Sequence, residues 1–144
     1  MTQGQSSSPA GSTPSTQIII FEAKNEAVSR LMELVDEYAT SGTMAIHPNA
    51  ISIAKTFLRA LPESISLPEF SADPDGSISL DWIESRNRLF SLSAGANQSL
   101  SFAWLDGPNK GHGVEYFDGE QIPKRIIDGI TAIIKNGNAS IRAA

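Results

Sequence analysis

Cysteine is absent from the 144 residues. That absence excludes disulfides, thiolate zinc sites and a cysteine nucleophile, and it suits a reducing cytoplasm. Histidine occurs only twice, as His47 and His112. Long apolar runs are missing: the longest near the start is Ile18-Ile19-Ile20-Phe21, far short of the roughly 18 residues a bilayer span requires. No membrane association is therefore expected. No basic residue precedes Lys24, so the charged start of a secretory signal is not expected either. Positive charge is scarce, eleven basic against sixteen acidic side chains, for a net charge of −5. That balance argues against binding nucleic acid through its phosphates.

What remains is a mildly acidic chain, 40% hydrophobic and 19% charged, long enough for one domain. The first seventeen residues hold five Ser, three Thr and three Gln with no charge. Ordering them costs about 1–2 kcal/mol of backbone entropy per residue, with almost no apolar burial in return. Residues 1–17 are expected to be a disordered tail, 18–137 a single α+β domain, and 138–144 a frayed end.

From Glu22 to Tyr38 the apolar residues Val28, Leu31, Met32, Val35 and Tyr38 recur at helical spacing. A second helix opens at His47-Pro48-Asn49, where proline suits the first turn because its missing N–H leaves nothing unpaired. Ile51, Ala54, Phe57, Leu58 and Leu61 form its apolar side, and Pro62 stops it. Beyond Leu67 the period changes to two. Asp73-Pro74-Asp75-Gly76 reads as a hairpin turn, with proline presetting φ and glycine accepting a positive one. Ile78, Leu80, Trp82, Phe90, Leu92, Leu100, Phe102 and Trp104 alternate with polar residues. Gly107 to Gly111 reads as a loop, with a further short strand from His112 to Phe117. Ile122-Pro123 opens a last helix with an isoleucine stripe, Ile126, Ile127, Ile130, Ile133 and Ile134, which is expected to end in a left-handed cap at Gly137. The spacing predicts two helices, a four- to five-stranded antiparallel meander, and a C-terminal helix packed on one sheet face.

The stretch from Leu67-Pro68-Glu69-Phe70 through Asp73-Pro74-Asp75-Gly76-Ser77-Ile78 to Leu80-Asp81-Trp82 resembles a cassette of small, mostly uncharacterised bacterial proteins. In these a proline-flanked extended segment leads into a PDPDGSI-LEW-like hairpin. The resemblance continues through His112-Gly113 and Phe117-Asp118-Gly119 to Ile122-Pro123, and covers roughly residues 48 to 134. Those proteins often carry a Trp-Asp-Gly-Tyr-like segment before the second helix, from which Asp36-Glu37-Tyr38 followed by Ser41-Gly42 departs. The resemblance implies a small α+β fold of bacterial or phage origin, and no activity.

The chemistry-bearing residues are few. Asp73, Asp75 and Asp81 surround Gly76, but a calcium loop needs glycine sixth and a glutamate twelfth, so a plain turn is expected and no metal or other cofactor. His47 stands beside a helix start, in a capping or surface role. His112, with Val114 and Tyr116 on its side of the strand, is the one candidate for a hydrolase-like centre. Such a centre needs a serine hydroxyl and a carboxylate converging on the imidazole. Two features favour protein binding instead. Glu63, Glu69, Asp73, Asp75, Asp81 and Glu84 follow one another without an intervening Lys or Arg, a local field that steers a basic partner. The polar sheet positions carry Ser77, Ser79, Ser91, Ser93, Ser99 and Ser101 with Ala103, a flat and uncharged surface suited to a partner or a second copy. The leading expectation is a non-enzymatic binding module using this face, the acidic hairpin or both. A small hydrolase centred on His112 and a structural homodimer are the alternatives.

Overall fold

The computed structural model describes residues 14–41 and 45–143. Its order is α1 (Pro14–Ser41), α2 (Pro48–Ala60), β1 (Glu69–Ala72), β2 (Ile78–Ser85), β3 (Arg88–Ala94), β4 (Ser99–Asp106), β5 (Asn109–Tyr116) and α3 (Lys124–Ala143). The five strands form one antiparallel sheet in sequence order. The fold is α+β, with α3 packed against the sheet. None of the described helices is long and apolar enough to cross a membrane.

Both terminal helices run further than their sequence signals. α1 begins at Pro14, so it takes in residues 14–17 of the segment expected to lie outside the domain; residues 1–13 lie outside the described residues. Pro14 suits a first helical turn, and each further residue adds a hydrogen bond to a helix already nucleated. α3 continues through Gly137 to Ala143 instead of ending in a cap followed by a frayed end. An interior glycine costs about 1 kcal/mol relative to alanine, which weakens a helix without stopping it.

The stripe on α1 centres on Ala27 and Leu31, both buried, with Val28 packed beside them. Lys24 Nζ donates to the carbonyls of Leu61 (2.6 Å) and Arg59 (3.3 Å). That contact satisfies acceptors at the end of α2 and sets the first half of α1 beside it, while the short link from Ser41 to Pro48 joins the other ends, so the two helices run antiparallel.

One face of the sheet carries the core. Ile78, Leu80, Trp82, Phe90, Leu92, Leu100 and Phe102 are buried beneath α2 and α3, with Ile126, Ile130 and Ile133 of the isoleucine stripe above them. Phe57 meets Trp82 and Phe117 edge-on, Trp82 meets Phe90 edge-on, and Phe90 stacks on Phe102 at 5.5 Å. Trp104 departs from expectation. It is only partly buried, at the margin of the core.

The turns follow their residues. At Asp73-Pro74-Asp75-Gly76 the Gly76 N–H donates to the Asp73 carbonyl (3.0 Å), and Gly76 takes φ +91°. The segment read as a loop from Gly107 to Gly111 is instead the two-residue turn Gly107-Pro108, which lets β5 start at Asn109. Gly107 has φ +64°, and glycine followed by proline fits the primed turn whose twist matches the strands.

Gly129 of α3 lies tight over Phe90 in the core, where an added Cβ would come 2.6 Å from the ring. Gly129→Ala should therefore lower stability by about 1–3 kcal/mol, although alanine is the better helix former by about 1 kcal/mol. Phe90→Ala should cost about 3–5 kcal/mol, and Trp104→Ala distinctly less because its site is half-open. Urea denaturation of the three variants checks this order.

Candidate open sheet face

The side of the sheet away from the helices is assembled by register. One row across the strands reads Glu69, Asp81, Ser91, Ala103, His112. The next reads Ser71, Ser79, Ser93, Ser101, Val114. A third carries Ile83, Leu89, Leu105 and Lys110, and Ser99 stands beside Tyr116. The serines foreseen on one surface are thus neighbours on it, and His112, Val114 and Tyr116 border them. Ser101, Ala103 and His112 are exposed, whereas Ser79, Asp81, Ser91, Ser93 and Ser99 are half-buried among their neighbours.

Ser77 differs from the expectation of an accessible contact. It is buried at the hairpin end, with its Oγ 2.6 Å from Asp75 Oδ1 and 2.9 Å from Asp73 Oδ2. Its backbone N–H also donates to Asp75 Oδ1 (3.0 Å), and Ser93 Oγ lies 3.3 Å from Ser77 Oγ. Ser79 donates to Asp73 Oδ2 (2.7 Å), and Ser91 donates across the strands to Asp81 Oδ1 (2.6 Å). Serine hydroxyls and hairpin carboxylates are therefore bonded to one another, in one cluster of Asp73, Asp75, Ser77, Ser79 and Ser93 and in the separate pair Ser91–Asp81. A hydroxyl that donates to an ionised oxygen makes a short, strong bond, and it fixes the serine rotamer.

The same bonds act on ionisation. The Ser77 hydroxyl, and then its N–H, hold the Asp75 carboxyl below the usual aspartate range. The Gln121 and Glu120 N–H groups do the same for Asp118, whose Oδ1 they reach at 3.0 and 2.8 Å.

His47 caps α2 through its backbone alone: its carbonyl accepts from the Ile51 N–H (3.2 Å) and its side chain makes no cap bond, while its own N–H donates to the Gly76 carbonyl (2.9 Å). The imidazole lies against Gly76, where an added Cβ would come within 3.0 Å of Cδ2. The hairpin turn is thus fastened to the start of α2. His112 stands on edge strand β5, across from Ala103. Among the described residues no serine hydroxyl or carboxylate lies within hydrogen-bond reach of it, and no group of three His, Asp or Glu side chains gathers as a metal site. A shallow hollow beside it is lined by Leu89, Ala103, Leu105 and Lys110.

The apolar members of this face lie outside the serine pattern. Ile83, Val114 and Tyr116 are 53%, 58% and 68% exposed. They are the large hydrophobic side chains most open to solvent among the described residues, and all three share this face. The period-two pattern could have found Ile83, two positions beyond Asp81. Val114 and Tyr116 already share His112's side of the strand in the sequence, and Lys110 joins them once β5 is taken back to Asn109. Compared with known proteins, the chain matches no family model, no curated protein and no solved structure.

Asp75, with its folded pKa lowered, contributes stability that is complete above the ordinary aspartate value of about 3.9 and is lost as pH falls through the lower folded value. Melting temperature should therefore decline with acidification below about pH 4, and Asp75→Ala should flatten that decline while lowering the plateau above it. Thermal melts across the acid range, wild type against variant, measure both effects.

Proposed function

We propose that the chain is a non-enzymatic protein-binding module of bacterial or phage origin that works in the cytoplasm and docks through the open sheet face. The single observation that carries this reading is the placement of Ile83, Val114 and Tyr116 together on the one face the helices leave open. Exposed apolar side chains scattered singly over a surface need no explanation; the confinement of these three to one face, Val114 and Tyr116 adjacent on β5 and Ile83 across the serine rows on β2, is what points to contact there. The serine rows between them support the same reading. Small side chains cost little entropy to cover, and those bonded to Asp73 and Asp81 are already ordered before any partner arrives. Such preorganisation lowers the cost of association.

The acidic hairpin supplies a charged rim. Glu69 and Asp75 are exposed, Asp73 and Asp81 half-exposed, all carboxylates that are ionised at neutral pH. A partner with basic groups at the matching margin is favoured in encounter rate. Inhibitors, antitoxins or immunity proteins, and subunits of complexes all act by contact of this kind. The bacterial or phage origin rests on the hairpin cassette alone.

The test is a double substitution, Ser79→Lys with Ser101→Lys. Ser101 is exposed, where polar changes are tolerated within about 0.5 kcal/mol, and at half-buried Ser79 the lysine keeps a donor beside Asp73. The variant should fold with an unchanged circular dichroism spectrum and lose association, both with protein captured from host lysate and with itself. Loss follows because an unpaired charge buried at an interface costs several kcal/mol. Association retained by the folded variant would rule the face out and move the contact to the acidic hairpin.

A further inference from the structure

We infer that the occupant of the open face is a second copy of this chain, packed sheet against sheet about a two-fold axis that runs along β3. The inference rests on the reading of this face as a docking surface and names its partner. Three observations carry it.

The first is self-complementary charge. Acidic groups stand at one side of the face, Glu69 on β1 and Asp81 on β2; Lys110 and the imidazole of His112, whose ring N–H can donate to a carboxylate, stand at the other, on β5. An axis along β3 lays β1 of one copy over β5 of the other and β2 over β4. Glu69 then faces His112 of the second copy, and Asp81 faces its uncharged Ala103. An axis across the strands would instead keep β1 and β2 over their own counterparts and, where it passes through the Glu69–Asp81 row, set Glu69 against Glu69 and Asp81 against Asp81. Like charges set opposite one another at an interface are strongly disfavoured.

The second is shape. With the axis along β3, Val114 comes over Ser71 of the second copy, Ser79 over its Ser101, and Ile83 over its Leu105, while Leu89 meets its own counterpart. These oppositions follow from the strand register. Val114 falls on a small serine, the two serines fall on each other, and the exposed isoleucine falls on a half-buried leucine, so the apolar contacts gather at the Ile83–Leu89–Leu105 row. Sheets packed in this way lie about 10 Å apart with strands within about 30° of alignment.

The third is size. Five strands spaced about 4.8 Å apart, with about seven residues each at 3.4 Å, give a face of about 24 by 24 Å. That is about 600 Å² in plan before side-chain relief is counted, near the roughly 800 Å² per partner of a standard interface. The face is therefore large enough for a specific dimer, and a second copy covers Ile83, Val114 and Tyr116 at once.

Sedimentation equilibrium of the full chain should give a dimer. Ser101→Lys should convert it to a folded monomer, raising the dissociation constant about tenfold or more. The chain has no cysteine, so single introduced thiols can be cross-linked without background. A short bismaleimide should join Ser91→Cys to itself across the axis, and join Ser79→Cys chains to Ser101→Cys chains, but should leave Ser101→Cys alone uncoupled. A monomer at every concentration would overturn the second copy as occupant, while leaving the docking reading to stand or fall on capture of another protein by the same face. A dimer indifferent to Ser101→Lys would overturn both. Preferential coupling of Ser101→Cys to itself would overturn the axis, and with it the inference.

Discussion

Phe90 sits where the three layers of the molecule meet. Its ring stacks on Phe102, receives the edge of Trp82, and lies directly under Gly129 of α3. Through Trp82 the same contact reaches Phe57 of α2 and, through Phe57, Phe117 at the end of the sheet. Aromatic pairs in these geometries contribute about 0.5–1.5 kcal/mol beyond the area they bury. More important is where they put the helices. With α2 and α3 both drawn onto the side that carries Phe90, the opposite side of a five-stranded sheet receives none of the described helices.

Everything proposed about function depends on that one-sided arrangement. An antiparallel sheet can keep one face in water if that face is polar, and here the serine rows meet the requirement only in part. Ser77, Ser79 and Ser91 spend their hydroxyls on Asp73, Asp75 and Asp81. What is left toward solvent is a flat surface with apolar side chains at its margins and charge of opposite sign at its two sides. The edges differ too. β1 is four residues long with α1 against it, whereas β5 is eight residues long.

The sheet was legible because its residues alternate strictly. Ile78-Ser79-Leu80-Asp81-Trp82 and Leu100-Ser101-Phe102 each assign every side chain to a face, and a one-residue error would have inverted the core. The Asp73 to Gly76 turn was legible for a similarly local reason. The bounds of α1 and α3 were not, because helix length is decided by cooperative extension and tertiary support, which single residues such as Gly137 signal weakly. The start of β5 was hidden by Gly107-Pro108, a pair that reads as a loop and folds as a tight turn. As to the candidate site, the serines could be placed by parity. The bonds that tie them to the hairpin carboxylates could not, since Ser91 and Asp81 are ten residues apart and meet only through strand pairing. The partial exposure of Trp104 likewise depends on where α3 stops covering the sheet.

The central claim is that the open face is the contact surface, and hydroxyl-radical footprinting of the wild-type chain tests it most directly. In dilute solution Tyr116 and Ile83 should react readily, in keeping with their exposure, while buried Phe90 stays protected. At high protein concentration Tyr116 and Ile83 should become protected together, with Tyr38 of α1 unchanged. Reactivity of Tyr116 and Ile83 that stays the same at every concentration and in the presence of any bound protein would contradict the account.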